Sequence, residues 1–296
     1  MTYTAWILLT ASLVGISCGI VGVFLILRKM AMMADAISHT VLLGIVVAYL
    51  LTHSLSGYHM VIGAAVAGIL TTFLVQWFHS KGVGQDASIG VVFTTLFAIG
   101  VILIATKVGN AHLDVQHALM GEISFVPWNT VHVPVLGEIP LATFMLLVVL
   151  FVVILVIGLF YKEWKLTTFD PSLAASIGIP VLGMHYLFMT LVSVTTVASF
   201  DAVGAIMVVA MLITPAASAY LWTDKLLVMI GLSASFGVMS AIMGYYFALW
   251  IDTSISGSMA FATGVIFLIS FICSPRHGIL SKTAGAEVHR PSLPRD

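Results

Sequence analysis

Charge is what this chain has least of. Of its 296 residues only 8% are Asp, Glu, Lys or Arg, while 60% are hydrophobic; a soluble domain carries about 25% charged residues. That excludes an ordinary water-soluble fold and implies an integral membrane protein. The formal net charge of −1 leaves no basic surplus for nucleic acid. Cysteine is nearly absent. Cys18 and Cys273 both lie in apolar runs and read as buried small hydrophobes, not as a disulfide framework. Two enzymatic signatures are missing as well. Without G-x-x-x-x-G-K-[ST] the chain has no phosphate loop, and without H-E-x-x-H it lacks the usual start of a hydrolytic zinc centre.

What is present is a succession of long apolar runs. Runs of roughly 17–25 residues match a bilayer, and nine fit, at about 5–27, 32–51, 60–79, 88–106, 141–161, 183–200, 203–221, 226–250 and 258–274. The first has neither a basic start nor a small-residue cleavage site and reads as a true span. Only Phe200 to Val203 separates the sixth from the seventh; a re-entrant pair there would leave eight. The expected fold is therefore an all-α polytopic bundle over 1–275, followed by a polar, disordered cytoplasmic tail over 276–296. With the N-terminus outside, every one of the 11 basic residues except Lys107 falls on the inner side. Such asymmetry sets the orientation, with the C-terminus inside.

Two connections are long. The outer one, Lys107 to Pro140, holds His112, Asp114, His117, Glu122 and His132, without a convincing ligand spacing among the histidines. It reads as a segment along the outer surface or facing an external partner. In the inner one, Asp170 is an N-cap, Pro171 occupies the first helical position, and Gly178 with Pro180 ends the helix. A capped helix of about two turns held in the cytoplasm is suited to being pushed by a soluble partner.

The polar residues inside the spans are fewer and more telling. Asp35 and His39 stand four residues apart in the second apolar run, hence on one helix face. An ionisable group in hydrocarbon costs several kcal/mol unless it is paired or faces a wet path. A carboxylate with an imidazole suits a divalent transition metal. Counting about 1.5 Å per residue from Lys29, His39 lies about 15 Å up, near the middle of a core of roughly 30 Å. The plainer alternative is a structural pair joining two spans. Asp201, at the outer turn between the sixth and seventh runs, reads either as a lining of an external gate or as a solvated turn residue. Gly15-Ile-Ser17-Cys-Gly19 fits the nucleophile elbow G-x-S-x-G, but inside an apolar helix small residues mark close packing.

Three ordered stretches carry a resemblance. Leu25-Ile-Leu-Arg28-Lys-Met30-Ala-Met-Met-Ala-Asp35-Ala-Ile-Ser-His39-Thr-Val-Leu-Leu-Gly44, Phe169-Asp170 through Gly178-Ile179, and Val203-Gly204 through Thr214-Pro215 resemble the permeases of metal-ion ABC importers, most nearly their manganese-type members. The resemblance implies that Asp35 and His39 coordinate the passing ion. It also implies that the segment with Phe169, Asp170, Pro171 and Gly178 docks on a cytoplasmic ATPase. The implied partners are an ATPase dimer, an external metal-binding lipoprotein and a second permease, identical or similar, in a bacterial cell membrane. No cofactor is expected to stay bound; the ion, Mn2+ or else Zn2+ or Fe2+, is cargo. Lys29 and Ala34 stand where glycines are expected, and Leu43 where a proline is common. The rival function is a carrier driven by an ion gradient, in which Asp35 takes up protons. Against it stands the lack of an obvious inverted repeat with paired broken helices.

Overall fold

In the computed structural model the described residues are 3–53, 57–107, 123–133 and 137–274. Nine helices among them are long and apolar enough to cross a membrane. In chain order they are α1 (Tyr3–Leu27), α2 (Ala31–Thr52), α3 (Gly57–Ser80), α4 (Gln85–Lys107), α5 (Leu141–Leu159), α8 (Val181–Val203), α9 (Ala205–Trp222), α10 (Leu226–Ile251) and α11 (Ile255–Cys273), with two short helices, α6 (Tyr161–Phe169) and α7 (Pro171–Ser176), between α5 and α8. Helices are the natural answer to such runs, because hydrocarbon offers backbone groups no partners outside the segment.

The sixth and seventh runs are two separate helices. A single residue, Gly204, divides them at φ 79° and ψ 167°, a backbone region essentially reserved for glycine. Its N–H still closes α8 by donating to the Phe200 carbonyl at 2.9 Å.

The helices gather in two groups. In one, α1 packs against α9 and α10, while α11 covers both of those; in the other, α2 packs against α3 and α4; α8 touches α1, α2, α3 and α5. The most apolar window of α1 is 78% buried, that of α4 only 22%. Small residues let the first group close. A Cβ on Gly15 would lie 2.7 Å from the Gly237 carbonyl carbon, and the Ser233 hydroxyl donates to the Gly19 carbonyl at 2.9 Å. The G-x-S-x-G run is thus helix-packing surface. Gly44 and Gly63 make the same close approach between α2 and α3.

The outer connection contains structure that composition did not announce. A 3₁₀ turn, Ile123–Trp128, leads into a two-stranded hairpin, β1 (Thr130–Val133) and β2 (Gly137–Pro140), which runs directly into α5. His132 pairs with Glu138 in its antiparallel register. His112, Asp114, His117 and Glu122 lie outside the described residues, as does the tail from 275. Cys18 is buried as expected, but Cys273 is exposed on the last turn of α11. Apolar surroundings in the sequence do not distinguish a lipid-facing position from a protein-facing one, because both are dry.

Candidate metal site and cytoplasmic docking face

Asp35 and His39 meet on α2 as their spacing requires. His39 Nε2 lies 3.6 Å from Asp35 Oδ1, and both side chains are 38% exposed. That separation exceeds a hydrogen bond, so the two groups are neighbours without being locked together. Both belong to α2, as their spacing implies. The opposite side of the helix, with Met33, Ile37 and Val41, is buried.

What orients the imidazole comes from α4. The His39 ring stacks on Phe93 with centroids 5.7 Å apart and an interplanar angle of 27°. Phe97 meets it edge-on, also at 5.7 Å. The two phenylalanines stand one turn apart, so their i, i+4 spacing was legible, but nothing in the sequence told which helix they would face. Among the described residues no group of three or more His, Cys, Asp or Glu side chains could hold a metal. Among the described residues Asp35 and His39 therefore stand as a pair of metal-capable groups, each 38% exposed.

Asp201 falls in the last turn of α8, and its side chain is not among those described. The remaining candidates form the cytoplasmic connection. Asp170 caps α7: its Oδ1 accepts from the Leu173 N–H at 2.9 Å and from the Ser172 hydroxyl at 2.6 Å. The Ser172 hydroxyl first, then the Leu173 amide, holds its carboxyl below the ordinary carboxylate value, because both stabilise the charged form. At the other end the Ile179 N–H donates to Ala174 and the Gly178 N–H to Ala175, a Schellman closure with Gly178 at φ 88°.

The sequence missed two features here. Before the cap stands a further helix, α6, so the connection is a bent pair of helices hinged at Asp170. In addition, Leu173 and Ile177 continue from Phe169 at intervals of four, and all three are exposed, at 58%, 48% and 61% in chain order. Exposed apolar side chains at the end of α6, on α7 and at its C-cap, outside the spans, have no use for water.

Above this pair lies the corner between α1 and α2. Arg28 donates from Nε to Thr168 Oγ1 at 3.2 Å and from Nη2 to Thr167 Oγ1 at 3.1 Å. Its guanidinium carbon sits 4.7 Å from the Phe188 ring centroid and 5.5 Å from that of Trp164. Burial lowers its pKa to about 10, which leaves it a cation at neutral pH. Lys29, next in the corner, adopts φ 57°, the left-handed conformation that explains why a glycine is expected there.

Along most of its length the chain is similar to known transport proteins. The profile of the ABC 3 transport family matches residues 1–274. The manganese transport system membrane protein MntD of Bacillus subtilis is 58% identical over 282 residues, covering 95% of this chain and 96% of that protein. The zinc transport system membrane protein TroD of Treponema pallidum is 40% identical, over 94% of this chain and 76% of that protein. Among solved structures, PsaBC from Streptococcus pneumoniae in complex with Fab superposes with a TM-score of 0.78 at 34% identity, over 96% of both chains. The multi-pass membrane protein described here belongs to the ABC 3 transport family.

Proposed function

We propose that the chain is the permease subunit of an ATP-driven importer for divalent transition-metal ions, with Mn2+ as its cargo, in a bacterial cell membrane. The observation that carries the proposal is the Asp35–His39 pair: two metal-capable groups on one helix face, not hydrogen-bonded to each other, and left open. The carboxylate supplies charge. The neutral imidazole, held between Phe93 and Phe97, favours a transition metal over calcium or magnesium. Two ligands are too few for a tight cage, and a second permease facing this side would offer two more. Loose coordination suits transport, since an ion held too firmly does not leave.

Energy enters from the cytoplasm. The exposed apolar side chains of Phe169 at the end of α6, Leu173 on α7 and Ile177 at its C-cap would enter an apolar groove of a separate ATPase dimer. Closure of that dimer would push α7 and rock the spans, so that the Asp35–His39 site opens inward. An external binding lipoprotein would hand over the ion on the other side, where Asp201, in the last turn of α8, would line an outer gate. Manganese is favoured over zinc by the ligand set, which contains an oxygen donor and no thiolate, and by the name of the relative with 58% identity.

The test is uptake of radioactive manganese into proteoliposomes holding this chain, with and without its ATPase and binding protein, and with zinc as competitor. ATP-dependent manganese uptake that needs all three parts is the expected result. Uptake by the chain alone would make it a gradient-driven carrier, and preference for zinc would change the ion while keeping the machine.

A further inference from the structure

Arg28 is a cation taken largely out of water and, among the described residues, without an ion-pair partner. Its partners are two threonine hydroxyls on α6 and two aromatic rings. A charge placed so is expensive, and a leucine would fill the space among Phe24, Trp164 and Phe188 without that cost. Those three rings pack as a triangle, with centroids 6.2, 6.1 and 5.7 Å apart. What an aliphatic side chain could not do is grip α6. The planar guanidinium reaches two consecutive hydroxyls at once, a fork that resists both sliding and rotation.

On its other side Arg28 is fixed to α2. The corner backbone is closed by Arg28 N–H to the Phe24 carbonyl at 3.0 Å, Met30 N–H to Leu25 at 2.9 Å, and Met33 N–H to Met30 at 3.0 Å. Met30 is the residue from which α2 departs. Asp35 and His39 lie four and eight residues beyond Ala31, the first residue of α2, about 6 and 12 Å along that helix. In the opposite direction Thr167 and Thr168 precede Asp170 by three and two residues, and the Asp170 N–H donates to Leu166. Between the docking helix and the start of α2, Arg28 is thus a hydrogen-bonded side-chain joint, and the packing of Trp164 against Phe24 and Phe188 lies beside it.

We propose that Arg28 is the positioning residue that transmits movement of the α6–α7 docking pair to α2, and so to Asp35 and His39. The proposal rests on the importer reading above. The aromatic faces of Phe188 and Trp164 let the guanidinium turn while it remains attracted to them, and the threonine fork makes α6 and the corner move as one piece.

The experiment uses the reconstituted transporter and reads three quantities: ATP hydrolysis, manganese imported per ATP, and the ATP-induced change in hydrogen exchange over 31–40. R28K keeps the charge and loses the fork; the pair T167V and T168V keeps Arg28 and removes its acceptors. Both variants should assemble and hydrolyse ATP, while manganese per ATP falls by about 2- to 30-fold, the range by which residues along such a network alter coupling. The exchange response of 31–40 should shrink with it. Full coupling and a normal exchange response in both variants would overturn the proposal. So would loss of hydrolysis, uptake and assembled protein in parallel, since that marks a residue needed only for folding. If the unaltered complex imports no manganese, the importer reading fails, and the exchange response to ATP still decides whether Arg28 links the two regions.

Discussion

The molecule has two polar islands, and they are built in opposite ways. Around Arg28 two hydroxyls accept, two rings flank the cation, and the corner backbone closes on itself. Around Asp35 and His39 the ionisable atoms are spare. They stand 3.6 Å apart, and only the imidazole ring is held, by Phe93 and Phe97. If Arg28 passes force and Asp35 with His39 hold a passing ion, the first must not let go, whereas the second must. The same contrast appears in the packing, since α1 is enclosed and α4 is largely bare. A bare helix beside an incomplete ligand set is where a second subunit adds most.

The largest effect should come from emptying the loose island. Asp35→Ala and His39→Ala should each lower manganese uptake by more than about 100-fold, beyond the 10- to 100-fold seen when a mere support of a ligand is lost. Copurification of the ATPase should stay intact. Normal uptake by either variant would remove the pair from the path.

Breaking the docking stripe comes next. Leu173→Asp or Ile177→Asp places a charge in the proposed apolar contact and should separate the ATPase from the permease in detergent. Both helices should keep their fold, because these side chains are exposed. Retained copurification with full ATP-driven uptake would show that the stripe faces something else.

Loosening the imidazole sharpens the contrast from the other side. Phe97→Ala leaves both ligands but frees the His39 ring, and a drop in uptake of about tenfold is expected for lost ligand support. An unchanged rate would mean that the ring needs no holding.

Smaller effects belong to the tight side. Asp170→Asn keeps an N-cap acceptor and should preserve docking, whereas Asp170→Ala should weaken it. The Asp170 pKa is depressed in the fold. Its carboxylate therefore contributes fully above the unfolded value, and the contribution fades as pH falls through the folded one. ATPase copurification across an acid titration should show this loss in the unaltered protein and not in Asp170→Asn. Lys29→Gly relieves a left-handed lysine and should stabilise the chain by about 0.5–1 kcal/mol, read as a higher melting temperature in detergent; a lower one would mean that the lysine side chain holds the corner.

Much of this was legible in the chain because membrane spans and caps are local. Nine apolar runs became nine helices with ends shifted by a few residues, and Asp170, Pro171 and Gly178 formed the capped helix that their order implies. Helix α6 escaped because Tyr161–Phe169 has neither the length of a span nor a clear cap. The hairpin at 130–140 escaped because it interrupts a segment read through its prolines and histidines.

By itself the sequence indicated eight or nine crossings, the expected orientation, and that Asp35 and His39 share a face. These follow from runs of apolar residues, the placement of lysine and arginine, and the 3.6-residue period. Only the tertiary structure decided that Phe93 and Phe97 clasp His39, that Cys273 faces outward, and that Arg28 reaches Thr167 and Thr168, some 140 positions away in the chain. In a span every side chain is apolar enough for either lipid or protein, so composition does not say which neighbour it meets. That choice is made by close approaches such as Gly15 on Gly237, and it exists only once the helices have packed.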